Sequence, residues 1–207
     1  MEDYAELRLA AVVLAAGSSR RMGNKNKLLE KIKSKTMIRT VVSTLSQSSI
    51  DKILVVAGFQ SDRLKIELED MNIEVVQNDL FELGLSSSLK VGLFALPSNI
   101  DVAAIILGDM PFLKITEIHN LIAACTAGDE RTIVVPSVEG LSGNPVLWPR
   151  YYWPEIIALE GDQGAQSLIA KYSDYVVTVA VGDVGCFVDI DTPKELVQYR
   201  DGIVDDC

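Results

Sequence analysis

Short apolar runs alternate with stretches of helical periodicity along most of this chain, and that alternation decides what it can fold into. Ala10–Ala16, Ile53–Ala57, Ile73–Gln77, Val102–Leu107 and Thr132–Pro136 are of strand length, nearly continuous and rich in Val and Ile. Such runs suit strands covered on both faces. Between them, Met37–Ser48, Asp62–Met71, Ser86–Leu96 and Thr116–Thr126 carry apolar residues at spacings of three and four, as amphipathic helices do. Alternating β and α predicts an α/β protein with a mostly parallel sheet and helices on both sides. The later part departs from this rhythm. Val138–Trp148, with Gly140, Gly143 and Pro145, predicts an irregular hairpin or loop. Tyr151–Leu159 and Gln163–Lys171 read as short helices, Tyr175–Val181 and Phe187–Ile190 as strands. Thr192 to Tyr199 reads as a final helix, with a capping hydroxyl, Pro193 at the first position and Glu195 in the first turn. The first few residues and Gly202–Cys207 read as loose tails.

The first apolar run breaks into Leu14-Ala15-Ala16-Gly17-Ser18-Ser19-Arg20-Arg21-Met22-Gly23, followed by Lys27. A strand ending in glycine, serines and arginines has the makings of a polyphosphate cradle. Glycine lets backbone approach an anion, exposed N–H groups point at it, and Arg and Lys neutralise it. The Gly-Lys-Ser/Thr of a Walker loop and the three-glycine spacing of a dinucleotide fingerprint are both absent. The loop therefore reads as a different phosphate-binding loop, with Arg21 and Lys27 as phosphate partners. Arg20, Arg21, Lys25 and Lys27 concentrate positive charge in a chain of formal net charge −10. A globally acidic surface argues against nucleic acid as a partner.

Gly108-Asp109-Met110-Pro111 ends the run Val102–Leu107, placing a carboxylate on the same sheet edge as the first loop. Its natural task there is holding Mg²⁺, which takes one or two carboxylates together with phosphate and water; alone it could equally be a turn Asp bonding its own backbone. Asp189 and Asp191 lie two residues apart, on one face if extended, and one of them can complete a metal site while the other extends the cap of the final helix. Gly84-Leu85-Ser86-Ser87-Ser88 opens a helix whose hydroxyls and free N–H groups suit ribose, base or phosphate, although one serine suffices for a cap. Gly143-Asn144-Pro145 and Gly161-Asp162-Gln163-Gly164-Ala165 are turns first and pocket pieces second. Trp148, Tyr151, Tyr152 and Trp153 read as core or pocket wall, with stacking of a flat pterin or base as the alternative. His119 reads as a surface residue. Cys125, Cys186 and Cys207 form no Cys-x-x-Cys pair, which offers no zinc site or redox dithiol and fits a reducing compartment. Leu9–Ala16 is too short to span a bilayer and no basic segment precedes it, so the sequence predicts a soluble cytoplasmic protein without a membrane partner.

Taken in order, Leu14-Ala15-Ala16-Gly17-x-Ser19-x-Arg21-Met22-Gly23 with Lys27, Gly84 to Leu93, Leu107 to Pro111, Gly143 to Leu147, Gly161-Asp162-x-Gly164-Ala165 and Asp189 to Pro193 resemble the molybdenum cofactor cytidylyltransferases. These form a branch of the MobA-like nucleotidyltransferases, and the match runs from about Leu9 to Tyr199. The resemblance implies a three-layer α/β/α, Rossmann-like nucleotidyltransferase fold with a mostly parallel mixed sheet. It implies one domain over 1–207, with a nucleotide-binding part at about 9–112 and an acceptor-binding part at about 113–200. It further implies transfer of CMP from CTP to molybdopterin with Mg²⁺, giving molybdopterin cytosine dinucleotide and pyrophosphate, and a recipient molybdoenzyme as a further partner. By similarity Arg21, Lys27 and Asp109 are catalytic. The nucleotide falls to Leu14, Ala15, Ala16, Gly17, Ser18, Ser19, Arg20, Arg21, Gly23, Lys27, Gly84, Ser86, Ser87, Ser88, Gly108 and Asp109. Asn144, Gly161 and Asp162 fall to the acceptor, and Asp109 with Asp189 or Asp191 to the metal. Ala16, where guanylyl relatives usually carry a second glycine, and the acids Asp189 and Asp191 favour the cytidylyl branch.

The sequence departs from the pattern in three places. Gln166 stands where relatives often have Arg, Ser34-Lys35-Thr36 replaces a Gly-Lys-Pro turn, and Leu85 replaces a commoner Met. The first bears on the acceptor. The competing readings are a transferase with GTP as donor or another phosphate acceptor, a cofactor carrier or chaperone that performs no transfer, and a related oxidoreductase.

Overall fold

β1 (Leu9–Ala15) is buried along its whole length because its two sets of alternating side chains serve two different cores. Leu9, Ala11, Val13 and Ala15 pack into one apolar cluster, and Ala10, Val12 and Leu14 into another, the period of two expected of a strand. The computed structural model describes residues 7–19, 23, 25–182, 190 and 192–200. After β1 come a short hairpin, β2 (Lys31–Ile32) and β3 (Lys35–Thr36), then α1 (Met37–Leu45), β4 (Lys52–Ala57), α2 (Ser61–Glu67), β5 (Glu74–Gln77), α3 (Leu85–Ala95), β6 (Val102–Leu107) and α4 (Ile115–Ala127). The remainder holds β7 (Ile133–Val138), β8 (Leu141–Ser142), β9 (Val146–Pro149), α5 (Trp153–Ala158), α6 (Gln166–Lys171), β10 (Val176–Ala180) and α7 (Pro193–Arg200).

Among the described residues eight strands form one sheet in the order β10-β7-β9-β6-β1-β4-β5, with β8 on β7, while β2 and β3 pair only with each other. β1 lies parallel to both β4 and β6, with Ala15 opposite Ala57 and Leu14 opposite Leu107. β5 continues the parallel set, and β10 runs parallel to β7. β9 runs antiparallel to both neighbours, β6 and β7. Met37, Val41 and Leu45 of α1, Leu64 of α2 and Ile118, Leu121 and Cys125 of α4 cover one face. Leu89 and Leu93 of α3, Ile156 of α5 and Leu168 of α6 cover the other. This is the mostly parallel mixed sheet between helical layers that the sequence predicts.

Helix α3 sits hard on the sheet. A Cβ on Gly92 would lie 2.4 Å from Val12 Cγ1 and 3.1 Å from Val56 Cγ2, so only glycine permits this approach. Thr36 caps α1, its Oγ1 accepting from Arg39 N–H at 3.3 Å. Thr192 and Glu195 cap each other's backbone at the start of α7, at 3.2 and 2.9 Å, the reciprocal box that those residues encode.

Several elements differ from the sequence reading. Val138–Trp148 contains the expected hairpin, Val138 of β7 pairing antiparallel with Leu141 of β8, but it also begins β9, a fully buried strand in the interior of the sheet; turn residues Gly143, Asn144 and Pro145 mask that run of only four residues. α1 stops at Leu45 rather than Ser48, α2 at Glu67 rather than Met71, and α6 starts at Gln166 rather than Gln163. The aromatic group is core: Trp148, Tyr152 and Trp153 are buried and Tyr151 is exposed. Tyr152 Oη donates to the Arg131 carbonyl at 3.0 Å and Trp153 Nε1 to the Trp148 carbonyl at 3.1 Å, and burial of the three rings to 4% exposure or less leaves them no open face for stacking a pterin. His119 is exposed. Of the strand expected at Phe187–Ile190, residues 187–189 lie outside the described residues. Among the described residues no helix is long and apolar enough to cross a membrane.

Candidate active site

The carboxyl ends of β1, β4, β5 and β6 open on one edge of the sheet, where open α/β sheets bind ligands. There the chain encloses a cavity of about 580 Å³, a size suited to a nucleotide. Leu14 and Ala16 to Ser19 line it from the end of β1, Lys27 and Leu28 from a 3₁₀ turn, and Leu107 and Asp109 from the end of β6. Phe81 to Leu85 and Ser88 line it from the β5–α3 connection, and Asp162 from the turn before α6.

The first loop is pinned at both sides. Gly108 N–H donates to the Leu14 carbonyl at 3.0 Å and Phe59 N–H to the Ala16 carbonyl at 3.3 Å. Buried Asn26 donates to the Phe59 carbonyl at 2.8 Å and accepts from Leu28 N–H at 3.0 Å, starting the turn that carries Lys27. Ser19 Oγ accepts from Lys27 N–H at 3.1 Å. Lys25 is turned outward, 3.9 Å from Glu30.

Lys27 Nζ lies 2.5 Å from Asp109 Oδ2, both side chains being 14% exposed. Asp109 Oδ1 is buried and, among the described residues, has no hydrogen-bond partner. A desolvated carboxylate oxygen without a donor is costly, and a hard divalent cation satisfies it. Asp109 therefore fits Mg²⁺ or Mn²⁺ as a single oxygen ligand. Among the described residues no three His, Cys, Asp or Glu converge on a metal position. Asp189 and Asp191, the other expected ligands, lie outside the described residues, as do Arg20 and Arg21.

The serines at the start of α3 divide their tasks. Ser86 Oγ donates to the Gly161 carbonyl at 2.7 Å and Ser87 Oγ to the Gly84 carbonyl at 2.8 Å, so both are occupied with backbone. Ser88 alone of the three lines the cavity. Asn78, 1% exposed, donates to Ser87 Oγ at 2.9 Å and Ser88 Oγ at 3.0 Å. Asp162 Oδ1 accepts from Leu85 N–H at 3.2 Å, capping α3 from a distant turn. Gly84, at φ +102°, sits so close to that turn that a Cβ would lie 2.6 Å from Asp162 Cα and N. Of the pair expected at the acceptor, Asp162 lines the cavity and Gly161 holds Ser86 through its carbonyl.

Of the other expected residues, Ala15 is buried within β1, and Gly108 lies beneath the loop rather than in the cavity lining. Gly23 adopts φ +69° and, like Asn144 in the turn before β9, is absent from the lining. Sequence reasoning missed Asn26, Asn78, Phe81, Glu82 and Leu83. Asn78 carries the same signal as Asp109, a polar residue just past an apolar strand.

Residues 11–176 match the MobA-like NTP transferase domain. The chain belongs to that family. Among curated relatives, the bifunctional protein GlmU of Staphylococcus carnosus is 33% identical over 54% of this chain and 24% of that protein. The chain spans only about a quarter to a third of the GlmU proteins it matches. Among solved structures, Rv0371c of Mycobacterium tuberculosis H37Rv superposes with a TM-score of 0.82 at 23% identity, over 95% of this chain and 100% of that one. A further structure of Rv0371c is a complex with manganese, with a TM-score of 0.78 at 22% identity over 94% and 98%. Molybdopterin-guanine dinucleotide biosynthesis protein A of Archaeoglobus fulgidus superposes with a TM-score of 0.66 at 16% identity over 93% and 97%. At these identities the superpositions show the shared fold of the MobA-like domain.

Proposed function

We propose that this MobA-like protein is a cytidylyltransferase that, with Mg²⁺, transfers CMP from CTP to molybdopterin, releasing pyrophosphate. The observation that carries the transferase reading is the Lys27–Asp109 pair, with a buried Asp109 oxygen that has no partner among the described residues, on the wall of a cavity that reaches Ser88. A terminal phosphate oxygen of the acceptor bonds to the α-phosphorus of CTP. The bond from that phosphorus to the bridging oxygen breaks, and pyrophosphate leaves with the electron pair. The attacking phosphate is ionised at neutral pH, so the step needs no general base, in keeping with a lone, exposed His119.

The protein's share is alignment and charge neutralisation. Gly17, Ser18 and Ser19 present backbone along the phosphates, and Lys27 exchanges Asp109 for phosphate oxygen. Arg20 and Arg21 would add positive charge to the same loop. Asp109 would hold the divalent ion, which neutralises phosphate charge and polarises the reacting phosphoryl group. Ser88, with the Phe81–Leu85 segment, bounds the nucleoside end. The acceptor approaches from the later part of the chain, where Asn144, Gly161, Asp162 and Gln166 lie, with Asp162 also on the cavity wall. The manganese complex of Rv0371c and the molybdopterin-linked name of the Archaeoglobus protein support the choice of metal and acceptor; Ala16 supports CTP as donor.

The test is pyrophosphate release by the purified protein with molybdopterin cofactor, Mg²⁺ and CTP, GTP or ATP in turn. Release with CTP, dependent on the pterin, is the expected result. Release only with GTP would overturn the donor, and release with CTP but only with a different phosphate compound would overturn the acceptor.

A further inference from the structure

The cavity wall built by α3 has a fixed hydrogen-bond polarity, and Asn78 sets it. Asn78 follows β5, its own N–H donating to the Ala57 carbonyl at 2.8 Å. Its Oδ1 accepts from Leu80 N–H at 2.9 Å. A backbone N–H can only donate, so this bond decides which end of the amide is oxygen. Both Nδ2 protons are then directed at serine oxygens, Ser87 at 2.9 Å and Ser88 at 3.0 Å. Ser87 passes its own proton to the Gly84 carbonyl. Among the described residues no acceptor takes the Ser88 proton. Ser88 is 4% exposed and lines the cavity, so its O–H is left to donate inward.

The sheet order says which end of a nucleotide meets that donor. Asp109 follows β6 and Asn78 follows β5, with β1 and β4 between them. Three inter-strand steps of about 4.8 Å separate the two positions by ~14 Å across the sheet, the span of a nucleoside triphosphate. Phosphates and metal at Lys27 and Asp109 therefore place the base toward Asn78 and Ser88. Cytosine presents acceptors there, its 2-carbonyl and N3. At the matching positions of its Watson–Crick edge guanine carries N1–H and its 2-amino group, donors that gain nothing from the Ser88 O–H, and keeps O6 as the one acceptor of that edge.

We propose that Asn78 is a positioning residue that makes Ser88 a hydrogen-bond donor to the base, and that this polarity selects a pyrimidine acceptor edge over guanine. The inference rests on the reading of the cavity as a CTP site. Polarity selects because the wrong partner leaves a buried polar group unpaired.

The experiment is equilibrium binding of CTP and of GTP, each with Mg²⁺, to wild type, Asn78→Asp and Ser88→Ala, with thermal midpoints measured alongside. In Asn78→Asp the carboxylate still accepts from Leu80 N–H but takes the Ser88 proton, so Ser88 turns acceptor toward the cavity. The added negative charge weakens both nucleotides alike, and the ratio of their dissociation constants is the readout. The CTP preference is expected to fall about tenfold in Asn78→Asp and about three- to tenfold in Ser88→Ala, the worth of one neutral hydrogen bond. A purely structural Asn78 would lower stability and leave the ratio alone. If Asn78→Asp does not fold, the ratio in Ser88→Ala decides. Wild-type preference for CTP retained in the folded variants overturns this inference only. Preference for GTP in wild type, or binding of neither nucleotide, overturns the CTP reading and this inference with it.

Discussion

At Asp109 one carboxylate does two things: one oxygen neutralises Lys27, and the other is buried without a donor. Asp109→Asn keeps the size and loses the charge. Transfer is expected to drop by ~10²-fold or more with the fold retained, the effect of removing a metal ligand from a charge-stabilised displacement; pyrophosphate release and circular dichroism check both halves. Unchanged turnover would remove Asp109 from the metal site. Cys125 is a residue-scale control. Burial pushes its thiol up to about 11, so it stays protonated and inert at neutral pH. In a variant with Cys186 and Cys207 replaced by Ser, thiol reagents at pH 8 are expected to label Cys125 only on global unfolding. The sign of the linkage follows. The unfolded thiol ionises near 9 while the folded one keeps its proton, so stability is full below pH 9 and falls between pH 9 and about 11. Denaturant midpoints across that range check it. Asp109 was legible in the sequence because a carboxylate just past an apolar strand has few structural reasons to be there. Asn78 carries the same positional signal, but an amide does not bind a divalent cation as a carboxylate does, so the sequence alone gives it no task.

Among the elements, α3 links core to site. Its Gly92 touches Val12 of β1 and Val56 of β4, and its first turn carries Ser86, Ser87 and Ser88. Gly92→Ala forces a methyl into about 2.4 Å of Val12 Cγ1 and is expected to destabilise by ~1–3 kcal/mol, the usual penalty of overpacking. It should also shift the serines off the cavity and weaken nucleotide binding; thermal melts and binding isotherms measure the two effects. A variant as stable as wild type would mean that α3 can ride outward freely. The parallel strands were readable because burial on both faces leaves continuous Val and Ile. β9 was not, because four apolar residues after Gly143-Asn144-Pro145 look like the end of a turn. Its place is set by β6 and β7 on either side, a long-range fact that no local window holds. The clasp of Asp162 on Leu85 N–H is hidden for the same reason, since it joins positions far apart in sequence.

For the whole molecule, the sheet order brings β1, β4, β5 and β6 side by side in parallel, and the segments after β1, β5 and β6 assemble the candidate cavity from separate stretches of chain. Removing the divalent ion with a chelator is expected to abolish transfer and restore it on adding back Mg²⁺ or Mn²⁺, while the thermal midpoint of the free protein stays put, since no described structural contact depends on a metal. The most direct measurement follows the α-phosphorus. CTP labelled at that atom is incubated with the protein, Mg²⁺ and molybdopterin cofactor, and the products are separated. The account predicts label in a pterin-bound CMP and none in pyrophosphate. Label that stays in CTP in protein shown to bind it, or that leaves only as free CMP, would contradict a cytidylyltransferase.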